Sequence, residues 1–205
     1  MKHISLLLAA LLFGCSDKTE TKAAAKPLKA LPGLSEVPLA KTRLSVQEAY
    51  EAIPHRRTRA DVEDEGLDPR DELYLKLVFS AIDESVALRV STQIDFIDGD
   101  TDGNGYFEAQ DRISEFLEEL APPPKLVGYH GMVLAAISDQ RAFFAEWRDA
   151  GAGFTHKRNV GTHAKVQSAS GKLRSAYGTL IKEYPPLSSQ NKEAYFDYHC
   201  ALDFI

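Results

Sequence analysis

Cysteine is scarce in this chain. Its 205 residues include two, Cys15 and Cys200, with one tryptophan and two methionines. Two cysteines in unlike surroundings do not make a disulfide framework, and no Cys-x-x-Cys pair offers a zinc or haem site. No apolar run is long enough to cross a bilayer as a helix. An excess of positive charge is missing too: 24 Lys and Arg face 30 Asp and Glu, for a formal net charge of -6. A nucleic-acid partner is therefore not expected, since phosphate binding needs a basic surface or stripe. Sustained strand alternation and fixed-period repeats are absent, which removes sandwiches, barrels and solenoids. The sequence contains no His-Glu-x-x-His and no Gly-x-Ser-x-Gly. Gly171-Lys172 lacks the upstream glycine and following hydroxyl of a phosphate-binding loop. No catalytic residue is named, and a non-enzymatic role is the expectation.

The chain opens with Met1-Lys2-His3, a short positive start, followed by an apolar stretch from Ile4 to Phe13 of the length of a signal-peptide core. Leu12-Phe13-Gly14-Cys15 closes that stretch with an aliphatic, a variable and a small residue before the cysteine. This resembles the lipobox of bacterial lipoproteins. The resemblance implies cleavage before Cys15, a diacylglyceryl group on its thiol and a further palmitate-class chain on the new amino terminus. Residues 1–14 are then a signal peptide. Several acyl chains anchor a protein firmly where one does not, because each buried methylene contributes about 0.8 kcal/mol. Ser16 follows the cysteine. With no aspartate there, the lipoprotein resemblance implies the outer membrane, facing the periplasm.

Residues 15–43 contain Pro27, Pro32 and Pro38 among small and charged residues, a linker composition. They read as a lipidated, disordered tether. Residues 44–205 read as one domain. Ser45 and Glu48 form a capping-box pattern, and the short helix they open should stop at Pro54. Asp68-Pro69 is an N-cap with proline at the first helical position. Leu75, Val78, Ile82, Val86, Val90, Ile94 and Ile97 then mark one apolar face of a long helix. Ile113, Phe116, Leu117 and Leu120 mark a short helix ended by Pro122-Pro123-Pro124. Leu126 to Trp147 marks a long one ending near Gly151, Val166 to Tyr184 a further one stopped by Pro185, and Tyr195 to Leu202 the last. The expected fold class is all-α, an irregular antiparallel helical bundle.

The strongest chemical signal is the acidic stretch from Asp98 to Asp111. Taken from Asp100, Asp102 and Asn104 stand at positions three and five, Gly105 at six, Tyr106 at seven, Glu108 at nine and Asp111 at twelve. Residues 100–111 therefore resemble an EF-hand calcium loop. The resemblance implies a site for calcium (Ca2+) built from Asp100, Asp102, Asn104, the Tyr106 carbonyl, Glu108 and Asp111. Alternate side chains in so tight a loop turn inward together, and the sixth residue must adopt a backbone shape that glycine allows. Asp111 stands where the family has glutamate, which weakens the grip and admits magnesium (Mg2+) as a competitor. Gly99 and Arg112 also replace the apolar flanks of the family pattern. A frame starting at Asp98 repairs the entering side but puts Ala109 at twelve, so the later frame is preferred. The plain alternative is an acidic turn, whose residue preferences are the same.

Two basic segments, His55-Arg56-Arg57 and His156-Lys157-Arg158 with His163, offer an anion or partner contact. His130 between Gly128 and Gly131 reads as a place of close helix packing. His199 reads as a satisfied core histidine and Cys200 as a small buried hydrophobe. The functional expectation is a calcium-binding envelope lipoprotein with a structural or interaction role, tethered to the membrane and meeting an envelope protein partner. The alternative is a helical ligand-binding protein or enzyme of the envelope using the His/Arg-rich loops.

Overall fold

A computed structural model describes residues 44–54, 56–58, 60–62, 65–103, 105–151, 154 and 160–204. The expected signal and tether lie outside them, as do Cys15, His55, Asn104, His156 and Arg158. Among the described residues there are six α-helices and no strand, so the domain is all-α. The helices are α1 (Val46–Glu51), α2 (Pro69–Ile97), α3 (Tyr106–Glu119), α4 (Val127–Ala150), α5 (Ala164–Glu183) and α6 (Ser189–Leu202). No described helix is long and apolar enough to cross a membrane.

Local chemistry sets most of the boundaries. The Ser45 hydroxyl accepts from the Glu48 amide at 3.3 Å while the Ser45 amide donates to the Glu48 carboxylate at 2.7 Å, which completes the capping box of α1. The Asp68 carboxylate accepts from the Arg70 amide at 2.9 Å, and Pro69 occupies the first turn of α2, where a missing N–H costs nothing. Asp71 and Glu72 follow there, suited to the positive end of the helix dipole. The prolines 122–124 end α3 and open a 3-10 turn (Pro124–Leu126) that leads into α4.

Packing joins α2 to α3, α3 to α4, α4 to α5, α5 to α6 and α6 back to α2, so five helices close a ring while α1 lies on α2. The middle of α2 is enclosed on all sides: every residue from Ala81 to Thr92 is buried, including Asp83, Glu84, Ser85 and Arg89. The apolar stripe read from the sequence is therefore only one face of a central helix. Its polar residues are sheltered because the far end of the chain folds over them. Arg89 Nη2 donates to the Ala201 carbonyl at 2.9 Å, and the Gln140 amide of α4 donates to the Leu202 carbonyl. Ser170 of α5 donates to Asp203 at 2.5 Å. Three helices thus clasp the end of α6: two of the contacts satisfy carbonyls that a helix terminus leaves unpaired, and the third holds the carboxylate of the C-cap residue.

One end of the bundle is filled by aromatic rings. Phe144 lies edge-on to Phe96 and Tyr106, at 5.6 and 4.8 Å between centroids, and Phe204 packs on Phe143 at 4.9 Å. The turn between α2 and α3 sits over this cluster.

Candidate metal loop and its surroundings

The turn begins where α2 ends. Its last turn holds no basic residue, and Asp98, Asp100 and Asp102 follow at once, so three carboxylates gather at the negative end of a 29-residue helix dipole. The Asp100 amide reaches back to the Asp95 carbonyl at 2.9 Å, and the Asp100 carboxylate accepts from the Asp102 amide at 3.3 Å, folding the loop on itself. Gly103 is buried with φ 77°, and a Cβ there would lie 3.0 Å from the Phe107 ring. Gly105 precedes α3 with φ 81°, in the left-handed region. That is the backbone shape the sixth position of a calcium loop requires.

The second half of the stretch departs from the expected loop. Helix α3 starts at Tyr106, seven residues before the periodic positions that marked it in the sequence, because Tyr106 and Phe107 turn their rings into the aromatic cluster. The Tyr106 carbonyl therefore points along the helix axis, into the α3 ladder. Its ring is buried, and its hydroxyl, pushed well above the ordinary value by burial, has no hydrogen-bond partner among the described residues. Glu108 is exposed in the first turn.

Asp111 is drawn toward α4. Its two oxygens accept from Arg141 Nε at 2.5 Å and Nη2 at 2.8 Å, a forked pair that holds the guanidinium above its ordinary pKa. Arg141 and Arg148 both stack on Phe107, at 5.3 and 4.4 Å from its centroid. Among the described residues no group of three or more His, Cys, Asp or Glu side chains is arranged to hold a metal ion. Asp100 and Asp102 are brought together, then, while Asp111 answers to a cation supplied by the chain itself. Sequence reasoning missed Arg141, and nothing local signals it, because the pair spans 30 positions.

The basic segments are spent on separate partners. Arg56 is exposed, whereas Arg57 reaches Asp83 of α2 at 2.5 Å, and that hydrogen bond raises its pKa. The Tyr50 hydroxyl donates to the same carboxylate at 2.9 Å. His163 is the N-cap of α5: its Nδ1 accepts from the Lys165 amide at 3.2 Å and its Nε2 lies 3.1 Å from Glu146. Of the three described members of these segments, Arg57 and His163 hold the fold together.

Three smaller expectations need adjusting. Gly128 and Gly131 are exposed, and a methyl group added at either would meet nothing within 4 Å, so they do not mark close helix packing. Between them, His130 shares a 3.0 Å hydrogen bond with the Tyr74 hydroxyl. His199 is buried as expected but only half satisfied: Nδ1 bonds the Tyr195 carbonyl, while Nε2 has no partner among the described residues. Cys200 is partly exposed, and burial first, with Asp203 and Asp197 adding, pushes its thiol up to about 11.

The chain matches no family model, no curated protein and no solved structure.

Proposed function

We propose that this protein is a lipid-anchored component of the bacterial envelope, held at Cys15, whose helical body takes one divalent ion at the turn between α2 and α3. The reading rests on one observation: Asp100 and Asp102 fold together beyond the C-terminal end of α2, and the glycine at the sixth position has φ 81°. Carboxylates collected at a negative helix end favour a cation. Calcium is the ion this oxygen donor set suits, with magnesium as the competitor. Asp100, Asp102, Asn104, Glu108 and Asp111 are the side chains proposed to hold it. Asp111 must leave Arg141 to take part, so binding exchanges an internal guanidinium for an external ion. The ion would brace the α2–α3 junction, leaving the outer surface of the body to meet an envelope protein.

A second reading is favoured by the Arg141 fork itself, in which the guanidinium permanently takes the place of the ion and the turn is structural. The two separate in a titration of the Cys15→Ser chain stripped of divalent ions. The first reading expects calorimetric heat on adding calcium and a thermal midpoint raised by several degrees at saturation, since a ligand at 100 times its Kd contributes about 2.7 kcal/mol. Arg141→Met frees Asp111 and should then tighten calcium binding about threefold, in keeping with the modest strength of a partly exposed ion pair. No heat at millimolar calcium, in either the parent or Arg141→Met, would leave the second reading standing. Lipidation is checked separately, by the mass of the mature amino-terminal peptide.

A further inference from the structure

A hollow of about 280 Å³ lies between the C-terminal ends of α2 and α4, beside the acidic turn. Phe96 and Trp147 form its buried floor, edge-on to each other at 5.3 Å, and Phe154 stacks on Trp147 at 4.7 Å along the rim. Ile97 stands 52% exposed at the mouth, and Thr101 is partly exposed beside it. The last residue of the apolar α2 stripe is thus left uncovered by the other described residues. A cavity near 150 Å³ holds benzene, so this one seats about two leucine side chains.

The mouth is negative. Asp98, Asp100 and Asp102 follow α2 on the exposed turn, and α2 and α4 both bring their carbonyl ends to this edge. Arg148, the basic residue in the last turn of α4, is turned instead to Phe107 and Asp149. The fitting occupant is an apolar segment that carries positive charge.

The chain holds such a segment within reach. Residues 15–43 carry six Lys and Arg against three Asp and Glu, while residues 44–205 carry 17 against 27. Between Glu20 and Glu36 there is no acidic residue, and Lys26-Pro27-Leu28-Lys29-Ala30-Leu31-Pro32-Gly33-Leu34 falls there. Its leucines recur every third residue among prolines, a spacing that shares one face of a polyproline II strand, and aromatic-lined grooves take such strands. The described chain begins at Leu44, whose amide donates to Ser91 Oγ of α2 at 3.3 Å. Ser91 stands six residues before Ile97, about 9 Å along the helix. The residues between Leu31 and Leu44 span up to about 40 Å, ample for that distance.

We propose that residues 26–34 dock in this hollow, with leucines of the segment on Ile97 and the aromatic floor and Lys26 and Lys29 toward the acidic turn. If Cys15 carries the lipid, a consequence that rests on the reading above, ten residues then separate the lipid from the docked segment in place of the 28 that precede Leu44. The maximum reach from the membrane falls from about 100 Å to about 35 Å. The docking itself needs neither the lipid nor a metal ion.

The test therefore uses the Cys15→Ser chain in chelator, so failure here and failure of the metal or lipid reading are distinguishable. Trypsin cleavage after Lys29 is timed against cleavage after Lys22, which lies outside the docked segment. Cleavage tracks the open fraction, so a segment docked nine-tenths of the time is cut about tenfold more slowly after Lys29 than the free one. Ile97→Ser, at an exposed position, should speed cleavage after Lys29 severalfold and leave cleavage after Lys22 unchanged, since it removes apolar surface that docking buries. A second measurement pairs Leu31→Cys with Ile97→Cys in a chain that also carries Cys15→Ser and Cys200→Ser. The disulfide should form about tenfold faster than in the same chain with Leu28→Ser and Leu34→Ser, whose contour length is identical. The proposal is overturned if cleavage after Lys29 is equally fast in the parent and Ile97→Ser, or if the two leucine substitutions leave the rate of disulfide formation unchanged. Should Ile97→Ser not fold, the disulfide rates decide.

Discussion

The carboxylates of the α2–α3 turn and the polar groups buried along α2 live under opposite rules. Asp98, Asp100, Asp102 and Glu108 face water, where partners exchange easily and one more or one fewer ion pair shifts stability little. Glu84, Ser85 and Arg89 are enclosed, and each buried polar group depends on the specific partners within reach. The turn is therefore the place where this protein can exchange partners with its surroundings, and the middle of α2 is the place where it cannot.

Three substitutions would break or sharpen that contrast. Arg89→Ala should have the largest effect, a loss of about 3 kcal/mol in denaturant unfolding, because it leaves a cavity under Phe204 and strips the Ala201 carbonyl of its donor. A loss below about 1 kcal/mol would mean that the clasp contributes little.

Glu84→Gln should act in the other direction and depend on pH. Burial, with the Asp83 charge adding, raises the Glu84 pKa to about 7, and its Oε2 has no partner among the described residues. The folded state then keeps a proton that the unfolded state releases near pH 4.5, so stability falls as pH rises from there through 7. Glu84→Gln removes this slope. It should be more stable than the parent by on the order of 2 kcal/mol at pH 8 and equal to it near pH 4. Parallel stability curves for the two proteins across that range would refute the assignment.

In the turn, Gly103→Ala should cost only about 1 kcal/mol, from the positive φ and the crowded Phe107 ring, unless calcium is bound. With the ion present the penalty should grow, because the strained backbone also misplaces the ligands. Melts of Gly103→Ala with calcium and with chelator show whether it does.

Local signals carried the reading of the helices far. Ser45 with Glu48, and Asp68 with Pro69, announce their helices through atoms a few residues apart, and those caps stand in the structure as read. Enclosure was not legible, because it depends on Ala201, Leu202 and Phe204 folding back over Arg89, more than 100 positions away. The turn was half legible. Its glycine spacing is local and holds at Gly105, but the start of α3 at Tyr106 is decided by Phe144, and the direction of Asp111 by Arg141, both on α4. The unmatched Nε2 of His199 left no trace in the sequence, since an apolar run around a histidine looks the same whether that atom has a partner or not.

The clasp on residues 201–203 also orders events in time. A ribosome that has delivered the chain only as far as residue 190 holds helices with an open seam between α2 and α5, and Arg89, Gln140 and Ser170 still wait for the groups they will grip. The core therefore closes only once α6 is in place, because α2, α4 and α5 all hold its C-terminal end.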